Sequence, residues 1–192
     1  CEERHRGRGL GVFWYENPYW FRHLISHAEN MEAGGVVLDI TGDGRPDVVV
    51  GTQMRGPELY WFEHPGDPTQ PWTRRTIENR FNKYHDQAVG DVDGDGEPEL
   101  VFISQAAGIL AYYNIPADPR QEPWPEADFY LIADGVHDIE GLALSDLDGD
   151  GQLELVAGTD VYKRTADGWK ATSLAEGLVK TRCAVADLDG DG

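Results

Sequence analysis

The chain has 192 residues, enough to bury one sizeable core, and carries a formal charge of −19 from 35 acids against 16 lysines and arginines. So acidic a surface excludes nucleic acid and anionic membrane as partners. No apolar run approaches the roughly 20 residues that span a bilayer, so no transmembrane segment is expected.

The chain begins at Cys1 with neither a starting Met nor a signal peptide, and reads as a mature form or a fragment. Cys1 is open to two readings, a lipid-modified N-terminus or a plain fragment boundary. Residues 1–10 read as an extension. The first strand-like run, Val12-Phe-Trp-Tyr-Glu-Asn-Pro18, is followed by a second, Phe21-Arg-His-Leu-Ile25. Gly35-Val-Val-Leu38 then leads into Asp39-Ile-Thr-Gly-Asp-Gly-Arg-Pro-Asp47, and Asp47-Val-Val-Val50 leads out of it. An aromatic run, Leu59-Tyr-Trp-Phe62, a turn rich in Pro and Gly, and Trp72–Ile77 complete the unit. Tyr60-Trp-Phe-Glu-His-Pro65 echoes Val12–Pro18.

The unit then recurs. Ala88-Val-Gly90 enters Asp91-Val-Asp-Gly-Asp-Gly-Glu-Pro-Glu99, followed by Glu99–Ile103, Ile109–Tyr113 and Phe129–Ile132. Leu142-Ala-Leu144 enters Asp146-Leu-Asp-Gly-Asp-Gly-Gln-Leu-Glu154, followed by Glu154–Ala157, Val161–Lys163 and Trp169–Thr172. Cys183-Ala-Val-Ala186 enters a partial fourth copy, Asp187-Leu-Asp-Gly-Asp-Gly192; Cys183 is expected as a buried thiol in this strand. Loop starts at 39, 91, 146 and 187 give steps of 52, 55 and 41 residues. Apolar and β-branched runs bounded by Gly and Asp predict strands, and four strands per repeat predict propeller blades.

The expected fold is therefore all-β: a β-propeller with a half-blade at 11–30, blades at 31–83, 84–135 and 136–176, and a half-blade at 177–192. Open blade faces predict completion by the rest of a longer chain, by a second copy, or by closure on itself.

The loops hold fifteen of the 35 acids. Carboxylates at loop positions 1, 3, 5 and 9 crowd oxygens into one small space and repel each other unless a cation sits among them. Hard oxygen ligands at this density suit Ca2+. Glycine at positions 4 and 6 of every copy lets the backbone reverse. The closing acid at 9, with a strand after it, separates these loops from the EF-hand, which closes at 12 between helices. Thr41 at position 3 predicts a weaker first site. Calcium loops of this kind work where calcium is millimolar, which places the chain in secretion, the periplasm or the cell surface.

Asp-x-Asp-Gly-Asp-Gly-x-x-Glu between apolar strands resembles the FG-GAP/VCBS repeat family, found in integrin α-subunit propellers and many secreted bacterial proteins. The resemblance runs from about Gly11 to Gly192 and is specific for fold and calcium, not for function. It implies as ligands Asp91, Asp93, Asp95 and Glu99 with the carbonyl of Glu97, and Asp146, Asp148, Asp150 and Glu154 with that of Gln152. In the first loop it implies Asp39, Thr41, Asp43, Arg45 and Asp47; in the fourth, Asp187, Asp189 and Asp191.

In a propeller the residues entering each first strand gather at one mouth of the channel. Here these are Asn30-Met-Glu32, Tyr84-His-Asp-Gln87, Val136-His-Asp-Ile-Glu140 and Lys180-Thr-Arg182. The two His-Asp pairs are expected on one rim, with His85, Asp86, His137, Asp138, Glu140, Lys180 and Arg182 as candidate ligand-binding residues. Two functions compete: a module binding carbohydrate or protein, and, by the resemblance, the catalytic propeller of a carbohydrate lyase or sugar dehydratase. In the second, Tyr84, His85, His137 and Arg182 supply base and cation. Strand-capping histidines are the bland alternative.

Overall fold

The computed structural model describes residues 11–28, 30–32 and 34–187. The chain opens with a two-stranded hairpin, β1 (Val12–Glu16) and β2 (Phe21–Ser26). Three antiparallel sheets of four strands follow, each strand paired with the next in sequence. The first holds β3 (Val36–Leu38), β4 (Asp47–Gly51), β5 (Leu59–Glu63) and β6 (Thr73–Glu78). The second holds β7 (Tyr84–Gly90), β8 (Glu99–Ser104), β9 (Ile109–Tyr113) and β10 (Phe129–Asp134). The third holds β11 (Leu142–Ser145), β12 (Glu154–Ala157), β13 (Asp160–Thr165) and β14 (Gly168–Ser173). These are blade-like sheets, each with one acidic loop between its first and second strands. The described helix content is a single 3-10 turn, Glu126–Asp128, and no described helix is long and apolar enough to cross a membrane.

The sheets stack face to face in chain order, which explains the composition of the middle one. In a strand, alternate side chains point to opposite faces. In β8, Leu100 and Phe102 face Val49, Leu59, Trp61 and Ile77 of the first sheet, while Val101 and Ile103 face Leu155, Ala157 and Tyr162 of the third. β9 divides likewise: Ala111 and Tyr113 pack one way, Leu110 and Tyr112 the other. A strand covered on both faces has no polar alternation, so β8 and β9 read as unbroken apolar runs. The hairpin lies on the outer face of the first sheet, where Ile25, Val12 and Trp14 meet Val50, Phe62 and Trp72. The aromatic third strands thus form the packing between sheets.

The innermost strands lie side by side: β7 touches β3 and β4 on one flank and β11 on the other. Gly51 makes one of these approaches. A Cβ at Gly51 would run into the Tyr84 side chain and come within 2.7 Å of the Tyr84 carbonyl oxygen. Gly51→Ala is expected to lower stability by about 1–3 kcal/mol through overpacking, read as a lower urea midpoint at unchanged m-value.

Two segments differ from the sequence reading. β7 begins at Tyr84, four residues before the run that marks it in sequence, because Tyr84 still pairs with Ser104 beyond a register shift. Cys183–Ala186 forms no strand; among the described residues no segment pairs with it along a ladder. Cys183 is half-buried, donating its thiol to the Val156 carbonyl at 3.3 Å, and burial raises its pKa.

Candidate metal centre

The loops share one wiring scheme. The first acid caps the turn: Asp91 accepts the amides of Gly94 (2.7 Å) and Gly96 (3.0 Å), and Asp146 those of Gly149 (2.8 Å) and Gly151 (2.9 Å). Asp39 does the same for Asp43 and Gly44. The glycines at positions 4 and 6 are left-handed in all three loops, from φ 69° at Gly42 to φ 94° at Gly96, a conformation L-residues resist. The ninth acid reaches back to the second amide: Asp47 to Ile40 (3.0 Å), Glu99 to Val92 (2.8 Å) and Glu154 to Leu147 (2.7 Å). It is buried each time, because it opens the second strand of the sheet.

The loops differ in what they gather. In the second, oxygens of Asp91, Asp93 and Glu99 lie within 4.8 Å of one another; in the third, those of Asp146, Asp148 and Glu154 do. With Thr41 in place of an acid, the first loop forms no such carboxylate triad among the described residues. Burial pushes the Glu99 pKa up to about 7, with the charges of Asp93 and Asp95 adding to the effect. Burial likewise raises that of Asp47. Asp189 and Asp191 lie outside the described residues, and Asp187 is exposed.

Strand pairing brings in one more side chain per loop, which the sequence pattern does not reveal. Val48 pairs with Phe62, Leu100 with Tyr113 and Leu155 with Tyr162, so the next rung sets Asp47 against Glu63, Glu99 against Asn114 and Glu154 against Lys163. Glu63 is engaged by Arg75 (2.7 Å) and Arg120 (2.6 Å), which hold its pKa below the usual value although burial works the other way. Asn114 lines one groove with Thr41, Asp95 and Glu99; its amide oxygen and the Thr41 hydroxyl are buried without hydrogen-bond partners. Lys163 reaches into the third loop, its Nζ lying 2.6 Å from Asp148, 2.8 Å from Asp150 and 2.8 Å from Glu154. Knowing which residue faces the ninth acid would have found all three.

Of the residues expected at the inner strands, the structure gathers some and separates others. Asn30, Lys83, Asp138 and Lys180 are all left-handed, with φ between 55° and 65°, and mark equivalent points of the repeat. Two residues after each comes Glu32, His85, Glu140 or Arg182, so His85 is in step with Glu140 and not with His137. His85 Nδ1 lies 2.6 Å from Asp86, and Asp86 accepts the Gly141 amide at 2.8 Å. His85 Nε2 is 3.6 Å from Glu140, whose other oxygen is 3.6 Å from Arg182 Nε. His85 is 4% exposed, and the cluster ties β7 to the segment entering β11. His137 is exposed, its ring lying close against Gly108. The Lys180 amide donates to the Asp138 carbonyl at 2.7 Å. Tyr84 is fully buried in the core between the first two sheets, its hydroxyl accepting the Phe81 amide at 3.2 Å, and burial raises its pKa.

A search of the curated proteins gives no match. Among solved structures, the biofilm matrix protein Bap1 of V. cholerae is similar at 20% identity and a TM-score of 0.47, over 82% of this chain and 26% of that one. The chain thus spans about a quarter of that protein's length. The model of the FG-GAP-like repeat matches twice in overlapping registers, at residues 39–102 and 91–157, and each match runs from one acidic loop through the next. Those matches cover more than half of the chain, which therefore belongs to the FG-GAP-like repeat family.

Proposed function

We propose that this chain is part of an extracellular β-propeller, stiffened by calcium, that binds carbohydrate or protein. The observation that carries the reading is the carboxylate grouping at one place in successive sheets. Oxygens of Asp91, Asp93 and Glu99 converge within 4.8 Å, and the same positions converge in the third loop. Calcium takes six to eight oxygens, so backbone carbonyls, Asp95 and water complete what three carboxylates begin. The second loop fits best: it adds the carbonyl of Glu97, and the Asn114 amide oxygen is buried beside it without a partner. The first loop offers Asp39, Asp43, Asp47, the Arg45 carbonyl and the unpartnered Thr41 hydroxyl, with fewer charges. Calcium in the second loop, and more weakly in the first, would neutralise the acids and fix the turn from first to second strand of the blade.

We place the ligand at the rim of the inner strands, where His85, Asp86, Glu140 and Arg182 converge and which His137, Asp138 and Lys180 flank. Imidazole, carboxylate and guanidinium groups together suit the hydroxyls and acids of a saccharide or the polar groups of a protein surface. Calcium loops of this class fill at the millimolar levels outside cells, which supports a secreted or cell-surface setting. Chelation with EDTA is expected to lower the melting temperature by about 5–10 °C relative to calcium about a hundredfold above its Kd, reversibly. A melting curve indifferent to both would sink the reading.

A further inference from the structure

The residue facing the ninth acid changes sign along the chain, from Glu63 through Asn114 to Lys163, while the loops keep their wiring. Lys163 is the one of the three that enters its loop. Its ammonium bonds a carboxylate oxygen of each of Asp148, Asp150 and Glu154 at 2.6–2.8 Å, with about a third of the side chain still exposed. Three carboxylates around one ammonium match its three donors. Resting on the calcium reading above, we propose that Lys163 is the resident cation of the third loop and closes it to calcium at concentrations that fill the second.

The physical argument is competition for the same oxygens. Asp148 and Glu154 belong both to the convergent carboxylate group and to the lysine's partners. A calcium ion entering there must displace the ammonium and strip three charge-assisted hydrogen bonds. In the second loop, Asn114 brings an amide with no charge to displace. The hydrogen bonds that Lys163 donates to Asp148, Asp150 and Glu154 raise its pKa further above the ordinary value, and Lys163 in turn lowers that of Asp150. In the second loop Glu99 faces the uncharged Asn114 and accepts the Val92 amide, with no ammonium among its partners in the loop. One repeat is thereby held in shape without calcium, and its neighbour is left dependent on it.

The test counts calcium ions per chain by calorimetry in the wild type and four variants. Lys163→Asn, which copies the residue of the second loop, should gain a site at least about tenfold tighter than the third loop of the wild type, as expected when ligand charge is released. Adding Asp148→Ala to it should remove that site, and Lys163→Arg, which keeps a cation, should gain none. Wild-type protein needs no substitution for the companion measurement: the 15N signal of the Lys163 ammonium should keep its ion-paired shift as calcium fills the second loop. If Asp148→Ala lowers the stoichiometry of otherwise wild-type protein and the Lys163 signal moves to its solvent value with calcium, the lysine proposal is overturned and the calcium reading stands. If neither wild type nor Lys163→Asn binds calcium, both fall.

Discussion

Arg80→Ala should cost about 3 kcal/mol, near the low end for breaking a buried ion pair because the guanidinium is partly exposed. Glu78 is only 1% exposed, at the end of β6 beneath the second sheet. Arg80 engages both of its oxygens, at 2.6 Å from Nη2 and 3.0 Å from Nε, and Tyr113 donates its hydroxyl at 2.9 Å. The backbone amides of Asn79 and Arg80 donate to it at 2.8 Å each. The guanidinium also stacks over Phe81 and Phe129, 5.2 and 4.7 Å from the ring centres. Removing it leaves a carboxylate in the core with its donors reduced to a phenol and two amides. Burial opposes the charge on Glu78, but the bonds from Arg80 and Tyr113 prevail and lower its pKa below 4.5. A lowered carboxylate pKa stabilises the fold above the unfolded value and loses that contribution as pH falls through the folded one. The penalty of Arg80→Ala should therefore be largest at neutral pH and shrink under acid, as urea midpoints at pH 7 and pH 4 would show. Equal penalties at both would contradict the role given to Glu78.

The second large effect changes sign with calcium. Glu99→Gln is expected to raise the melting temperature of the chelated protein at pH 8 by about 3–6 °C and to lower that of the calcium-loaded protein. Glu99 has a folded pKa near 7, raised from 4.5 by burial and by Asp93 and Asp95. A raised carboxylate binds its proton more tightly folded than unfolded, so the chelated protein should lose stability as pH rises from about 4.5 to about 7. Glutamine keeps an acceptor for the Val92 amide and removes the charge, so this slope should flatten. With calcium present the same charge is a ligand, and its loss should be harmful. An unchanged order of the two proteins in EDTA and in calcium would show that Glu99 faces no cation.

Much of this arrangement is legible in the sequence because it is written locally. Acids at positions 1, 3, 5 and 9 with glycines at 4 and 6 specify the loop, and the apolar runs on either side specify the strands that hold it. β9 and β12 fall where their runs predict, at Ile109–Tyr113 and Glu154–Ala157. What escapes is what depends on pairing. The two His-Asp pairs look equivalent by composition, yet His85 stands six residues before its loop and His137 nine before its own. The backbone aligns His85 with Glu140 instead. Tyr84 looks like a rim residue beside His85, but strand alternation turns it into the core. Lys163 sits in the poorest of the aromatic runs, and its sequence neighbours say nothing of Glu154; only the ladder from Leu155 to Tyr162 brings the two together. Cys183–Ala186 has the composition of a strand without, among the described residues, the pairing that makes one.

Isothermal titration of calcium into the chelator-stripped protein, repeated on Asp93→Ala, tests the central claim most directly. Asp93 belongs to the convergent group of the second loop and holds the Asp95 amide at 3.1 Å, well outside the core between the sheets. The account predicts calcium binding whose tightest site disappears in Asp93→Ala while the β-sheet signal of the protein remains. Titrations in which wild type takes up no calcium, or in which Asp93→Ala binds it as tightly as wild type, would contradict it.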